Sequence, residues 1–304
     1  MPLRLIGGRD RSEAEAAGGP AAETPARRPA APAPAPEIAV PRPAATSPAA
    51  RQSAITPECT VIGPHLTLRG NLRGSDDIVI RGVLIGDIRG RRVEVRSGAR
   101  VEGDIVAAEA IVGGAVRGNV EAGTIEVKRG GGVEGRLEND GSCRIHGEVE
   151  GDINSRDIVV GVGAQVSSVV TADRASIAGA LDGVIEAGDV RIEETARVNG
   201  EIECTGPVDI AGQVEGQIHG KRVIIREGAT VGDSVFAEEI TVAGTATGEL
   251  MAVSVAIAAT AYVDGQIVHH HIEIEQGAVV KGSRPWRPKQ YLQNRDKGEP
   301  PPEA

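Results

Sequence analysis

Residues 93–105 read VEVRSGARVEGDI, residues 158–170 read IVVGVGAQVSSVV and residues 223–235 read VIIREGATVGDSV. Each segment starts 65 positions after the one before, and in each an aliphatic or alternating triplet precedes Gly-Ala and a Val two residues on. Outward from these segments, a small residue stands at the centre of every Val-x-Gly-x-Ile-like step. These residues are Gly70, Gly86, Gly103, Gly118, Gly135, Gly151, Ser168, Gly183, Gly200, Gly216, Asp233, Gly248, Gly265 and Gly282. The steps between them run 16, 17, 15, 17, then the same four twice more, and close on a last 17. A 65-residue unit therefore occurs three times end to end, and each unit is four shorter coils. Double periodicity of this kind marks a stacked solenoid.

Within a coil, apolar and polar residues alternate, as in Val101, Glu102, Gly103, Asp104, Ile105 and again in Val149, Glu150, Gly151, Asp152, Ile153. Period two predicts strands with one buried face, and glycine at one fixed phase predicts a sharp bend at a corner. Short strands in coils of this length predict an all-β fold, a parallel β-helix solenoid of about 13 coils and roughly 60 Å. The left-handed hexapeptide helix is disfavoured, because six does not divide the average coil length; right-handed winding is the default for parallel connections. No coil buries enough to stand alone, so stability comes from stacking.

Composition agrees with a narrow core. One Trp, one Phe and two Tyr among 304 residues cannot fill a thick one, whereas aliphatic side chains and 41 glycines suit a thin column. Proline divides the chain: 11 of 18 lie in residues 1–57, five lie after Gly282, and only Pro64 and Pro207 lie between. The reading is a disordered Pro/Ala-rich arm over 1–57, a β-helix core over 58–284 and a disordered tail over 285–304. The arm carries seven Arg and five acids and the tail four bases and three acids, so the core carries −13 against a net −10 for the chain. An acidic body without a basic, aromatic-laced stripe argues against nucleic acid as a partner.

Cys59, Cys143 and Cys204 form no CxxC pair and read as reduced, isolated thiols of a cytoplasmic protein. Cys143 matches Ile78 and Val208 in the repeat, which predicts burial. The start of the chain has no secretory pattern, and the weakly polar run Met251 to Val263 is too short to span a bilayer and fits the repeat.

Candidate chemistry is sparse. Gly113 and Gly114, Gly130 to Gly132, and Gly161 with Gly163 lack the remainder of a phosphate or dinucleotide fingerprint and fall at coil corners. His269, His270 and His271, with Glu273 and Glu275 near, cannot converge on one metal along a straight strand and read as an exposed corner. Asp87, Asp104, Asn119, Asp152, Glu201 and Glu249 share a phase and read as a solvated acidic column, relieved by Arg117 and Arg136. No nucleophile and base are anchored to a recognisable turn. The expectation is no catalytic residue, no cofactor, no metal and no enzyme.

The ends are the informative part. An unfinished β-helix exposes an unpaired strand edge and an apolar cross-section at each end. Val61, Ile62, Leu66, Leu68 and Leu72 at the first coil and Ile272, Ile274, Val279 and Val280 at the last predict end-to-end association with copies of the same chain. The alternative is that the arm, or the tail with Trp286, folds over an end. Met1, Leu3, Arg4, Leu5 and Ile6 form a short apolar and basic start that would gain membrane avidity in a polymer.

These residues resemble the bactofilins, polymer-forming bacterial cytoskeletal proteins. The resemblance rests on Thr60, Val61, Ile62, Gly63 followed by Leu66, Leu68, Gly70, Asn71 and Leu72. It rests also on Gly82, Val83 to Gly86, Asp87, Ile88 and on Gly98 through Ile105, and it covers roughly 58–284. It implies a right-handed β-helix that polymerises through its ends without nucleotide, with Pro-rich flanks. It further implies a cytoplasmic scaffold that recruits cell-wall enzymes and influences cell shape; the apolar and basic start of the chain adds the inner face of the membrane as its expected location. The core is longer than is typical of that family, an expanded or fused version. Two other readings compete: a monomeric adaptor that binds a partner through its face or tails, and a carbohydrate-active β-helix enzyme.

Overall fold

A computed structural model describes residues 59–294. These residues form an all-β solenoid of three parallel faces, with one short helix, α1, at Lys289–Asn294. The chain visits the faces in a fixed order. The first face begins with Cys59–Ile62, the second with Thr67–Arg69 and the third with Leu72–Arg73. Each strand then pairs in parallel with the strand one coil later: Cys59–Ile62 with Asp77–Ile80, Thr67–Arg69 with Val83–Ile85, and Leu72 with Ile88. The last strands in this progression are Tyr262–Ile274 and Val279–Lys281. From the first coil to the last the described chain makes about thirteen turns, as its periodicity predicts.

Alternation sets the core. On the third face Ile88, Ile105, Val120, Leu137 and Ile153 stack in register, and on the second Val101, Val116, Val133 and Val149 do the same. All are at most 1% exposed. On the first face Ile125, Cys143 and Ile158 stack one above another, so Cys143 lies inside the column, as its repeat position predicts. Burial pushes its thiol up to about 12. Each aliphatic side chain in the column contributes about 1.5 to 3 kcal/mol, available only because a neighbouring coil covers it.

The uneven steps have a local cause. Between the first and second faces the chain alternates a longer turn with a shorter one. The longer turn, as at 96–99, is closed by Ala99 N–H donating to the Arg96 carbonyl at 2.9 Å, and it recurs with Gly131 to Lys128 and Ala164 to Gly161. The shorter turn, as at Gly113 and Gly114, has no room for more, since a Cβ on Gly114 would lie 2.6 Å from the Arg96 carbonyl oxygen. The extra residue of the 16-residue step enters between the third and first faces, where the pairing register shifts between Asn139 and Ser142.

The corner between second and third faces is where glycine is needed. Gly118 has φ of 142°, and a Cβ there would meet the carbonyl of Gly103, its counterpart one coil below. Two of the fourteen small residues named from the sequence depart from glycine. Asp233 adopts φ of 77°, and Ser168 has no positive φ.

The segment after Gly282 is placed differently from the disordered tail expected from Pro285. Ser283 to Arg287 runs alongside the third-face edge of the last coil. Ile267 N–H donates to the Ser283 carbonyl at 2.9 Å, His269 N–H to that of Pro285 at 3.2 Å, and Arg287 N–H returns to His269 at 2.9 Å. α1 then lies on the outward side of that face, with Leu292 buried against Met251 and Val268. The prolines punctuate this segment but leave enough donors and acceptors to pair with the edge. Residues 1–58 and 295–304 lie outside the described residues, and with them the arm and the remainder of the tail.

Candidate functional site: the two ends of the solenoid

A parallel strand that ends a stack leaves alternate N–H and C=O groups facing outward without a ladder partner. At the N-terminal end these groups belong to Cys59–Ile62, Thr67–Arg69 and Leu72–Arg73. Apolar side chains accompany them. Val61 is 50% and Leu66 51% exposed, Leu68 and Leu72 are half-buried on the core, and Ile62 is buried. At the C-terminal end Ile274 is 42% and Val279 46% exposed, with Ile272 and Val280 half-buried against the column. These four exposed residues are half of the eight large, well-exposed apolar side chains among the described residues. The nine residues named from the sequence fall into two groups on opposite ends of the stack; Ile62, Ile274 and Val280 continue inward registers, whereas Val61 and Val279 sit at the rim in the outward registers of Glu94 and Tyr262.

Sequence reasoning named Trp286 only within a tail that folds over an end, and missed Arg284. Trp286 forms a parallel bridge with His269, and its indole Nε1–H donates to the His270 carbonyl at 3.0 Å. The same 17-residue step places Arg284 after Ile267, the last aliphatic residue of the third-face column. The sequence does hold a signal: the step from Gly265 to Gly282, carried two residues further, arrives at Arg284.

The other candidates resolve into structure. In the acidic column, Asn71 Oδ1 accepts the Asp87 N–H at 3.1 Å, Asp87 Oδ1 that of Asp104 at 3.2 Å, Asp104 Oδ1 that of Asn119 at 2.8 Å, and Asn119 Oδ1 that of Arg136 at 3.2 Å. The column expected to be merely solvated is, over these coils, a ladder from side chain to backbone. Arg136 and Asp152 continue it as an ion pair at 3.3 Å, while Arg117 forks onto Glu134. Of the histidines, His270 and His271 are exposed, but His269 is buried beneath the 283–287 segment, which corrects the expectation of an exposed corner. No group of three potential metal ligands comes together among the described residues. Cys204 is buried with Sγ 3.0 Å from the Gly188 carbonyl, and burial raises its pKa; Cys59 is exposed. No helix among the described residues is long and apolar enough to cross a membrane. The proposed membrane residues Met1, Leu3, Arg4, Leu5 and Ile6 lie outside the described residues.

Comparison with known proteins returns one family. The model of the bactofilins, described as polymer-forming cytoskeletal, matches residues 60–140, 127–206 and 191–284. The starts of these matches, at positions 60, 127 and 191, lie close to one repeat block apart. Neither the curated proteins nor the solved structures give a match. With the family matched across 60–284 and apolar side chains exposed at both ends of the solenoid, this chain belongs to the bactofilin family of polymer-forming cytoskeletal proteins.

Proposed function

We propose that the chain is a non-enzymatic scaffold that joins end to end into filaments, through Val61, Ile62, Leu66, Leu68 and Leu72 at one end and Ile272, Ile274, Val279 and Val280 at the other. The observation that carries this reading is the coincidence, at both ends, of unpaired strand edges with exposed apolar side chains. Burying such an end gains hydrophobic free energy and supplies the missing ladder partners in one step. The family's polymer-forming character supports the same conclusion. The chain would act in the cytoplasm, at the inner face of the membrane, where the segment Met1 to Ile6 supplies a weak apolar and basic contact that a filament multiplies. The same reading extends to recruitment of cell-wall enzymes and an influence on cell shape, in keeping with the family's cytoskeletal character.

Negative-stain electron microscopy of the purified chain, without nucleotide or metal and over a range of salt, tests the central claim. Filaments are the expected result. Isolated rods roughly 60 Å long would instead favour a monomeric adaptor. Leu66→Arg or Ile274→Arg, at exposed end positions, is expected to abolish filaments while leaving the β-sheet circular dichroism intact, since an unpaired charge in a dry joint is costly. Membrane contact is tested separately: removal of residues 1–11 is expected to end co-sedimentation with anionic liposomes, and unchanged co-sedimentation would refute it.

A further inference from the structure

The two ends are chemically unequal, and the inequality resides in the segment 283–292. At the N-terminal end the third-face column begins with Leu72, in register with Ile88 above it. At the C-terminal end the same column passes through Leu250 and Ile267, both at most 1% exposed, and continues in register to Arg284, which is exposed. A cation therefore stands where every earlier coil of that face holds Leu, Ile or Val. No ion-pair partner for Arg284 occurs among the described residues.

The segment that carries it is held at both of its ends. The ladder to Ile267 and His269 fixes 283–287, and the Trp286 ring lies tilted against the His270 ring at 5.6 Å, across the corner where the third face turns into the first. Beyond Pro288, α1 is seated by Leu292 on Met251 and Val268, outward residues stacked in register on neighbouring coils. Pro285 and Pro288 offer no N–H, which suits an edge and not the interior of a sheet.

We infer that residues 283–292 are a built-in partial cap, which holds the C-terminal end less adhesive than the N-terminal end toward a second copy of this chain, with Arg284 as the residue that sets the difference. This rests on the end-to-end reading. Joining the C-terminal end requires Arg284 to lose water against an apolar face, whereas joining the N-terminal end buries only Leu72 and its neighbours. Among the described residues two of the three faces at the C-terminal end stay open, so the cap weakens joining there without forbidding it.

The test is sedimentation of the full chain over a concentration series, which reads the threshold above which polymer pellets. Arg284→Leu is expected to lower that threshold about tenfold, the equivalent of removing about 1.4 kcal/mol of desolvation cost per joint. Arg284→Lys, which keeps the charge, is expected to leave it where it was. The cap is overturned if Arg284→Leu pellets at the unchanged threshold while Leu66→Arg abolishes pelleting, or if Arg284→Lys lowers the threshold as far as Arg284→Leu. If Leu66→Arg also leaves pelleting unchanged, the end-to-end reading falls and the cap with it. Because Arg284 is exposed, both substitutions leave the fold intact, which an unchanged melting temperature verifies.

Discussion

The corner at Gly118 and the corner at Ser168 turn the chain between the same two faces by different means. At Gly118 the backbone takes φ of 142° above the Gly103 carbonyl, the strand is interrupted, and the next residue, Asn119, donates its N–H to the Asp104 carboxylate of the coil below and accepts the Arg136 N–H of the coil above on its Oδ1. At Ser168 one strand, Gln165–Ile177, runs through all three faces, the φ is not positive, the hydroxyl is buried without a partner, and Val169 is 42% exposed. The first corner uses a residue without a side chain to bring backbones together and adds a hydrogen-bonded rail beside it. The second keeps its side chain, reshapes the backbone and leaves polar and apolar groups poorly matched. A repeat can thus lose its most demanding residue without losing the fold, provided the turn is rebuilt locally.

The sharpest way to break this comparison is to place a side chain at the first corner. Gly118→Val is expected to cost about 4 kcal/mol or more, combining a β-branched residue at positive φ with a backbone clash. Ser168→Gly is expected to change stability by less than about 1 kcal/mol, since lost backbone entropy offsets removal of the orphaned hydroxyl. Equal effects in chemical denaturation would mean that the two corners are not different solutions.

A second prediction concerns the column that passes unbroken inside both corners. The Cys143 thiol is raised from 9.0 to about 12 by burial, so the folded state holds its proton longer than the unfolded state does. Its contribution to stability is complete below the unfolded value and is lost as pH rises through the window from about 9 to about 12. The slope is up to about 1.4 kcal/mol per pH unit. Cys143→Val is expected to remove that alkaline loss in denaturation series on either side of pH 9. In the native chain a thiol reagent is expected to label Cys59 and spare Cys143.

Smaller effects sharpen the contrast between rail and surface. Asn119→Ala removes an acceptor from the Arg136 N–H and is expected to cost about 1 kcal/mol. Arg117→Ala breaks an exposed fork on Glu134 and is expected to cost less than about 0.5 kcal/mol. If the two are equal, the ladder is no more than another solvated pair.

The features legible in the sequence are those repeated at every coil. Gly118, Val133 and Cys143 can be placed because each has counterparts whose phase leaves one role open. The Asx ladder is not legible as a ladder: Asp87 and Asp104 stand a whole coil apart in the chain, and no composition reveals whether a carboxylate turns toward water or toward the next coil's N–H. The burial of His269 and the seating of Leu292 escape for a related reason. They depend on a short segment that occurs once, and its helix is too short to show a period. The candidate ends follow from Val61, Leu66, Ile274 and Val279, but Arg284 is hidden among prolines that read as the start of a tail.

The full series of coil lengths, set by longer and shorter turns and one extra residue, recurs once in every repeat block, so the chain leaves each block on the same face and at the same phase as it entered. Inserting or deleting one whole block would therefore leave the first and last coils as they are and move them apart or together by four strand spacings, about 19 Å. In that sense the molecule is graduated like a ruler. Its sequence sets, in fixed increments and independently of how the ends bind, the distance at which successive joints fall along whatever it assembles.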